Sequence, residues 1–185
     1  MTNKLPVLMK SAALLTSLFT IAFVLLYSIF SKGWLLAAAI SFGTTAYHFL
    51  MRLTVGYLLP RLTNYDFDYH HRWFQPRAWE PGFYQKIRIK HWKQDLPTYD
   101  PGQFSVQENS LHRIIQNMCG AEIVHELIMI LSFLPMLTVP VFGSLPVFLI
   151  TSVVSALFDS IFVMAQRFNR PRLVRIYEKQ EAKRP

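Results

Sequence analysis

The chain of 185 residues is 52% hydrophobic and only 16% charged, too apolar, and too blockwise in that apolarity, for an ordinary soluble domain. Its formal net charge of +8 comes from Lys and Arg gathered at the ends of apolar blocks, without any accompanying nucleic-acid motif. Anionic phospholipid or a phosphate-bearing substrate is therefore the expected partner, and nucleic acid is not.

In chain order, Ser11 to Phe30 contains no charged residue, which is enough chain to cross a hydrocarbon core of about 30 Å. Lys4 and Lys10 resemble the basic start of a cleaved signal peptide, but the apolar stretch is longer than such peptides use and a second follows at once. The sequence predicts spans over about 11–30, 34–59, 121–139 and 141–165, with the second interrupted by His48 and Arg52. Pro140 and Gly143 mark the turn between the last two. Pro135 and Pro146 are expected to kink those helices, and a hairpin that dips into the membrane without crossing is the alternative. The expected fold class is all-α, an integral membrane protein of about four transmembrane helices forming a single domain over residues 1–185.

Short cytoplasmic loops accumulate Lys and Arg. Two precede the first span, eight lie in the loop 60–120 and seven follow Gln166, so both termini, the central loop and the basic tail 166–185 are placed on the cytoplasmic side of a multi-pass cell-membrane protein. That loop carries Trp73, Phe74, Trp79, Phe83, Tyr84, Trp92, Tyr99 and Phe104, too many aromatics for a disordered linker. Pro81 to Lys93 is predicted as a short amphipathic helix at the headgroups. Tyr99 to Gly102 reads as a turn, and Ser110 as the cap of a helix leading into the third span.

Ionisable groups inside spans need a partner, a wet cavity or a function. Ser41, Thr45, His48 and Arg52 form one stripe of the second helix, and Glu122, His125 and Glu126 share a face of the third. Asp159, Gln166 and Arg170 line the fourth. The stripes predict a polar cavity in the inner leaflet, with a structural Arg52–Asp159 pair as the plainer reading of those two residues. Glu122 and His125, three residues apart, suit a general base and its orienting carboxylate. The same spacing occurs in di-iron carboxylate helices, but a second copy is missing and His70-His71 stands without further histidine clusters, so no metal is expected. The single Cys119 excludes a disulfide framework and a multi-cysteine metal site.

Ala121-Glu122-Ile123-Val124-His125, the run from Gln166 through Arg167, Phe168, Asn169, Arg170, Pro171 and Arg172 to Leu173, and the segment around Trp92-Lys93 together resemble the bacterial glycosyl-4,4'-diaponeurosporenoate acyltransferase family, which acts last in staphyloxanthin-type carotenoid synthesis. The resemblance covers roughly the last two thirds of the chain, and Glu126 stands where the pattern suggests an aromatic residue. It implies transfer of a fatty acyl group from a thioester co-substrate, with no bound cofactor, to a sugar hydroxyl of a glycosylated carotenoid or similar glycolipid. His125 is then the expected base and Glu122 its orienting group. Arg170, Arg172 and Lys93 would hold the acyl donor's phosphates, with Asn169 as a donor near the carbonyl. Gln166, Trp92, Arg52, Asp159 and His48 complete the candidate substrate-binding set. No nucleophile elbow is present, which favours direct transfer over an acyl-enzyme. A small membrane methyltransferase or reductase and a non-catalytic membrane partner are the competing readings, and a homodimer that completes a thin bundle fits any of them.

Overall fold

The computed structural model describes residues 4–183. The helices are α1 (Leu5–Phe30), α2 (Gly33–Thr63), α3 (Glu80–Lys86), α4 (Ile89–Trp92), α5 (Leu111–Leu131), α6 (Val139–Phe142) and α7 (Leu145–Glu181). They are joined by short 3-10 turns, and no strand occurs among the described residues. Four stretches, Leu5–Phe30, Gly33–Thr63, Leu111–Phe142 and Leu145–Glu181, are long and apolar enough to cross a membrane. The expected all-α, four-span membrane protein is what the chain forms.

Several boundaries differ from the sequence reading, each for a local reason. The third helix begins at Leu111 instead of 121, since Ser110 Oγ accepts the Arg113 N–H at 3.2 Å and starts it earlier. Its first turns look polar, but Gln116 and Asn117 are buried there with backbone partners in the loop. The helix stops at Leu131 instead of 139, because Pro135 has no N–H to return to the Leu131 carbonyl. Tyr47 donates its hydroxyl to that carbonyl instead, at 2.8 Å. Pro135 thus opens a 3-10 turn over Leu134–Thr138 within the apolar stretch Leu111–Phe142. The fourth helix starts at Leu145 and not 141, after Gly143 and Ser144 take left-handed φ values of 66° and 51°. Pro146 then falls in its first turn, where a missing N–H is harmless. Most of the predicted tail is helical, since α7 continues through Pro171 to Glu181; Arg184 and Pro185 lie outside the described residues, as do Met1 to Asn3. The predicted helix over 81–93 is broken in two by Arg88, whose φ is 53°.

The chain divides into two compact units, Met1–Tyr57 with Leu127–Asp159 and Leu58–Glu126 with Ser160–Pro185. In the first, Phe42 of α2 stacks on Phe23 of α1 at 5.5 Å and tilts against Phe19 at 5.0 Å. Gly43 permits the approach, as a Cβ there would meet the Thr20 methyl at 3.3 Å. On α1 only Ala13 is buried, while Val7, Leu14, Leu18, Ile21 and Leu25 stand exposed. A continuous apolar face of this kind has hydrocarbon as its natural solvent. Thr16, Ser17, Thr20 and Thr151 each donate to the carbonyl four residues earlier in their own helix, at 2.7 Å, so their hydroxyls cost little in lipid.

The polar centre of this unit is Arg52. Its Nη2 donates to Asp159 Oδ2 at 2.5 Å and to Ser155 Oγ at 2.8 Å, and its Nη1 to the His48 carbonyl at 3.1 Å. Ser155 and Ser132 share a further hydroxyl hydrogen bond of 2.7 Å. On α2 the buried polar residues are Thr44 and His48 beside the largely covered Arg52; Ser41 faces outward and bonds its own helix. The plain reading of Arg52 and Asp159 as a buried pair matches their geometry. Breaking it by Arg52→Ala leaves an unpaired buried carboxylate and is expected to cost about 3–5 kcal/mol, whereas Arg52→Met with Asp159→Leu costs far less. Thermal unfolding in detergent reads both.

Candidate active site

The second unit is built where the loop folds back on α5 and α7. Beyond α2 the chain turns at Asn64 and Tyr65, both left-handed with φ of 49° and 50°. The Tyr65 ring then lies so close over Gly120 that a Cβ there would overlap it. The Gln116 side-chain amide receives the Phe67 N–H at 2.7 Å and donates to the Phe67 carbonyl at 2.9 Å, giving that backbone the two partners a strand neighbour would supply. His71 caps the next turn, its Nδ1 accepting from the Trp73 N–H at 3.3 Å. The 3-10 turn Arg72–Phe74 follows and buries Phe74.

Arg167 and Arg170, one helical turn apart on α7, hold this loop. Arg167 Nε donates to Glu80 Oε1 at 2.8 Å, and Nη2 lies 2.6 Å from the same oxygen as an ion pair. Its Nη1 donates to Glu122 Oε1 at 2.7 Å and to the Trp73 carbonyl at 2.9 Å, and Nη2 also to the Gln75 carbonyl at 2.9 Å. Four hydrogen bonds thus leave this guanidinium, two from Nη1 and one each from Nε and Nη2. Arg170 donates from Nη1 to Glu122 Oε2 and from Nη2 to the Phe74 carbonyl at 2.6 Å, and its guanidinium lies 4.9 Å from the centre of the Phe74 ring. Three consecutive carbonyls, those of Trp73, Phe74 and Gln75, end on two arginines. With Glu80 and Glu122 almost wholly buried, the four charges sum to zero within one desolvated cluster.

Around this cluster the expected site residues separate into groups. Glu122 sits in it with both carboxylate oxygens on arginines. His125, one turn further along α5, is half-buried and stacks on Phe162 of α7 with ring centres 4.6 Å apart and planes 9° from parallel. Next to it Glu126 accepts the Trp73 indole N–H at 2.8 Å. Lys93 and Asn169 are brought together, the ammonium donating to Asn169 Oδ1 and lying 4.8 Å over the Phe168 ring. Burial, then the positive charges of Arg172 and Lys90, hold the Lys93 pKa below its usual value. Trp92 is half-buried and donates to the Ile87 carbonyl at 3.0 Å, Gln166 is half-buried on α7, and Arg172 is exposed. Arg170 is the clearest change from expectation: its Nη atoms are committed to Glu122 and Phe74 inside the protein, so it is a framework residue and not a surface receptor for phosphate. His48, Arg52 and Asp159 belong to the first unit.

Sequence reasoning missed Arg167 and Glu80. The signal available was the i, i+3 spacing of Arg167 and Arg170 facing a loop rich in aromatics. Glu80, directly before Pro81, reads as an ordinary residue of a helix start. Its burial is also felt by Tyr84 on α3, whose hydroxyl is pushed up to about 12 by its own burial and by the Glu80 carboxylate. Along α7 the same elements line a cleft of about 560 Å³.

A family model for glycosyl-4,4'-diaponeurosporenoate acyltransferase matches residues 70–179, more than half of the chain and nearly all of the loop, α5 and α7. Neither a curated protein nor a solved structure matches the chain. If the arginine cluster organises this unit, Glu80→Ala exposes Arg167 to an uncompensated burial worth about 3–5 kcal/mol. The expected result is a lowered unfolding temperature together with faster protease cleavage in residues 72–80, measured on the purified protein in detergent.

Proposed function

Because the chain belongs to the glycosyl-4,4'-diaponeurosporenoate acyltransferase family, we propose that it esterifies a sugar hydroxyl of a glycosylated carotenoid, or of a similar membrane glycolipid, with a fatty acyl group. It is an acyltransferase, and its four apolar helices make it a membrane protein. The observation that carries the finer reading is His125: an imidazole half-buried on α5, held flat against Phe162 and beside Glu126. A base that must take a proton from a sugar hydroxyl needs a fixed ring in a partly dry setting.

In this mechanism His125 takes the acceptor hydroxyl's proton as the oxygen forms a bond to the thioester carbonyl carbon. The carbon–sulfur bond breaks, and the departing sulfur recovers the proton from the imidazolium, so that ester and free thiol are the products. No covalent enzyme intermediate and no resident cofactor enter; the fatty acyl thioester is a co-substrate. Glu122 has a positioning role: through Arg167 and Arg170 it fixes α5 against α7 and thereby the place of His125. Asn169, with Oδ1 taken by Lys93, offers its amide N–H to the developing negative oxygen.

The basic loop and helix end suit the cytoplasmic face of a bacterial cell membrane, with both termini inside. Exposed Trp73, Trp79 and Phe83 suit its headgroup region, with anionic phospholipid as neighbour. Mass spectrometry of lipid extracts from cells making equal amounts of wild type or His125→Ala tests the reading. A glycolipid gaining one fatty acyl mass is expected with the wild type and, with the variant, reduced about a hundredfold or more. An equal amount of product from His125→Ala removes the histidine from the mechanism.

A further inference from the structure

Arg170 is withdrawn into the protein, which removes one of the three side chains expected to receive the acyl donor's phosphates. The cleft beside α3, α4 and α7 supplies others. Its volume is about 560 Å³, within the range of small-molecule sites. Arg88, Lys90, His91 and Arg175 line it, and Arg88, Lys90 and His91 are exposed side chains on a four-residue stretch held out by the left-handed backbone at Arg88. The floor is apolar and aromatic, from Tyr84, Ile89 and Phe168. Among the described residues Glu80 is the only carboxylate in the lining, and Arg167 offsets its charge through Oε1. The cleft is therefore positive at its rim and balanced at its floor.

One detail narrows the ligand. Glu80 is 1% exposed, and its second oxygen, Oε2, is buried without a hydrogen-bond partner. The Tyr84 hydroxyl beside this carboxylate is one donor to it, and a carboxylate accepts more than one. A ligand that fits has several phosphate oxygens for the rim, N–H groups for the floor and an apolar body between them.

We propose that this cleft binds a coenzyme A thioester, the phosphates of its nucleotide part on Arg88, Lys90 and Arg175 and an amide N–H of its pantetheine arm directed at Glu80. Three permanent cations exceed what a single phosphodiester requires and match a nucleotide carrying several phosphates. The assignment rests on the acyl-transfer reading above. An anionic phospholipid headgroup has the same phosphate chemistry, and the experiment separates the two sources.

Full-length protein in phosphatidylcholine nanodiscs is titrated with coenzyme A, and its adsorption to phosphatidylglycerol vesicles is measured separately. The proteins compared are the wild type, Arg88→Gln, Lys90→Gln, Arg175→Gln and the triple variant, with unfolding temperatures confirming that each is folded. Each single change is expected to weaken coenzyme A about tenfold, and the triple variant to raise the KM for acyl-coenzyme A while leaving kcat at saturation. Unchanged coenzyme A affinity in the triple variant, or a loss confined to vesicle adsorption, overturns the assignment. If ester forms with an unaltered KM in the triple variant, the cleft assignment fails and acyl transfer stands. If coenzyme A binds through these residues but no ester is ever made, acyl transfer fails and the site stands.

Discussion

Two arginines on one turn of α7 carry the organisation of the second unit. Arg167 and Arg170 bind Glu80 from the loop, Glu122 from α5 and three successive carbonyls of the turn between them. Lysine could not replace them, because a single ammonium has three donors and no planar fork, whereas Arg167 alone donates four hydrogen bonds. A cluster of this kind contributes little net stability relative to apolar packing, but losing one member strands the rest. Its effect is geometric: it fixes the loop, α5 and α7 in one register, and the reactive candidates ride on those elements.

The first unit uses a smaller version of the same device. Arg52, Asp159, Ser155 and Ser132 form a connected polar string among helices whose outward faces are apolar. In hydrocarbon there is no hydrophobic drive to bring such helices together, so close packing at Gly43 and polar contacts of this sort supply the association. Pro135 shows how the arrangement absorbs a broken helix: the carbonyl it frees at Leu131 is taken by Tyr47.

Hydropathy and charge made the four helices and the folded loop legible, because a lipid solvent imposes long apolar runs and the aromatic content of the loop is incompatible with disorder. Helix ends were less legible. Leu111 to Gly120 appears polar in sequence because Gln116 and Asn117 carry amides, and only the fold shows the Gln116 amide and the Asn117 Nδ2 bonded to the backbone of the loop, with Ile114 to Gly120 buried. Likewise, α7 runs past its apolar part as far as Glu181, since Arg167 and Arg170 are partnered and do not end the span.

The candidate site was legible in its motifs and not in its assignments. Glu122 and His125 were recognisable from spacing, and Arg170 from its neighbours, yet spacing cannot tell an arginine that receives a ligand from one that bonds a buried glutamate. That distinction depends on Glu80, which is 42 residues from Glu122 along the chain and meets it only through Arg167. The cleft residues Arg88, Lys90 and Arg175 were equally hidden, as each alone reads as a solvated surface charge.

The central claim is the reaction. Purified wild-type protein, reconstituted in lipid with a glycosylated carotenoid and a fatty acyl thioester, should release free thiol and form acylated glycolipid in equal amounts. Thiol release without acylated glycolipid, or no consumption of thioester in folded protein, would contradict the account.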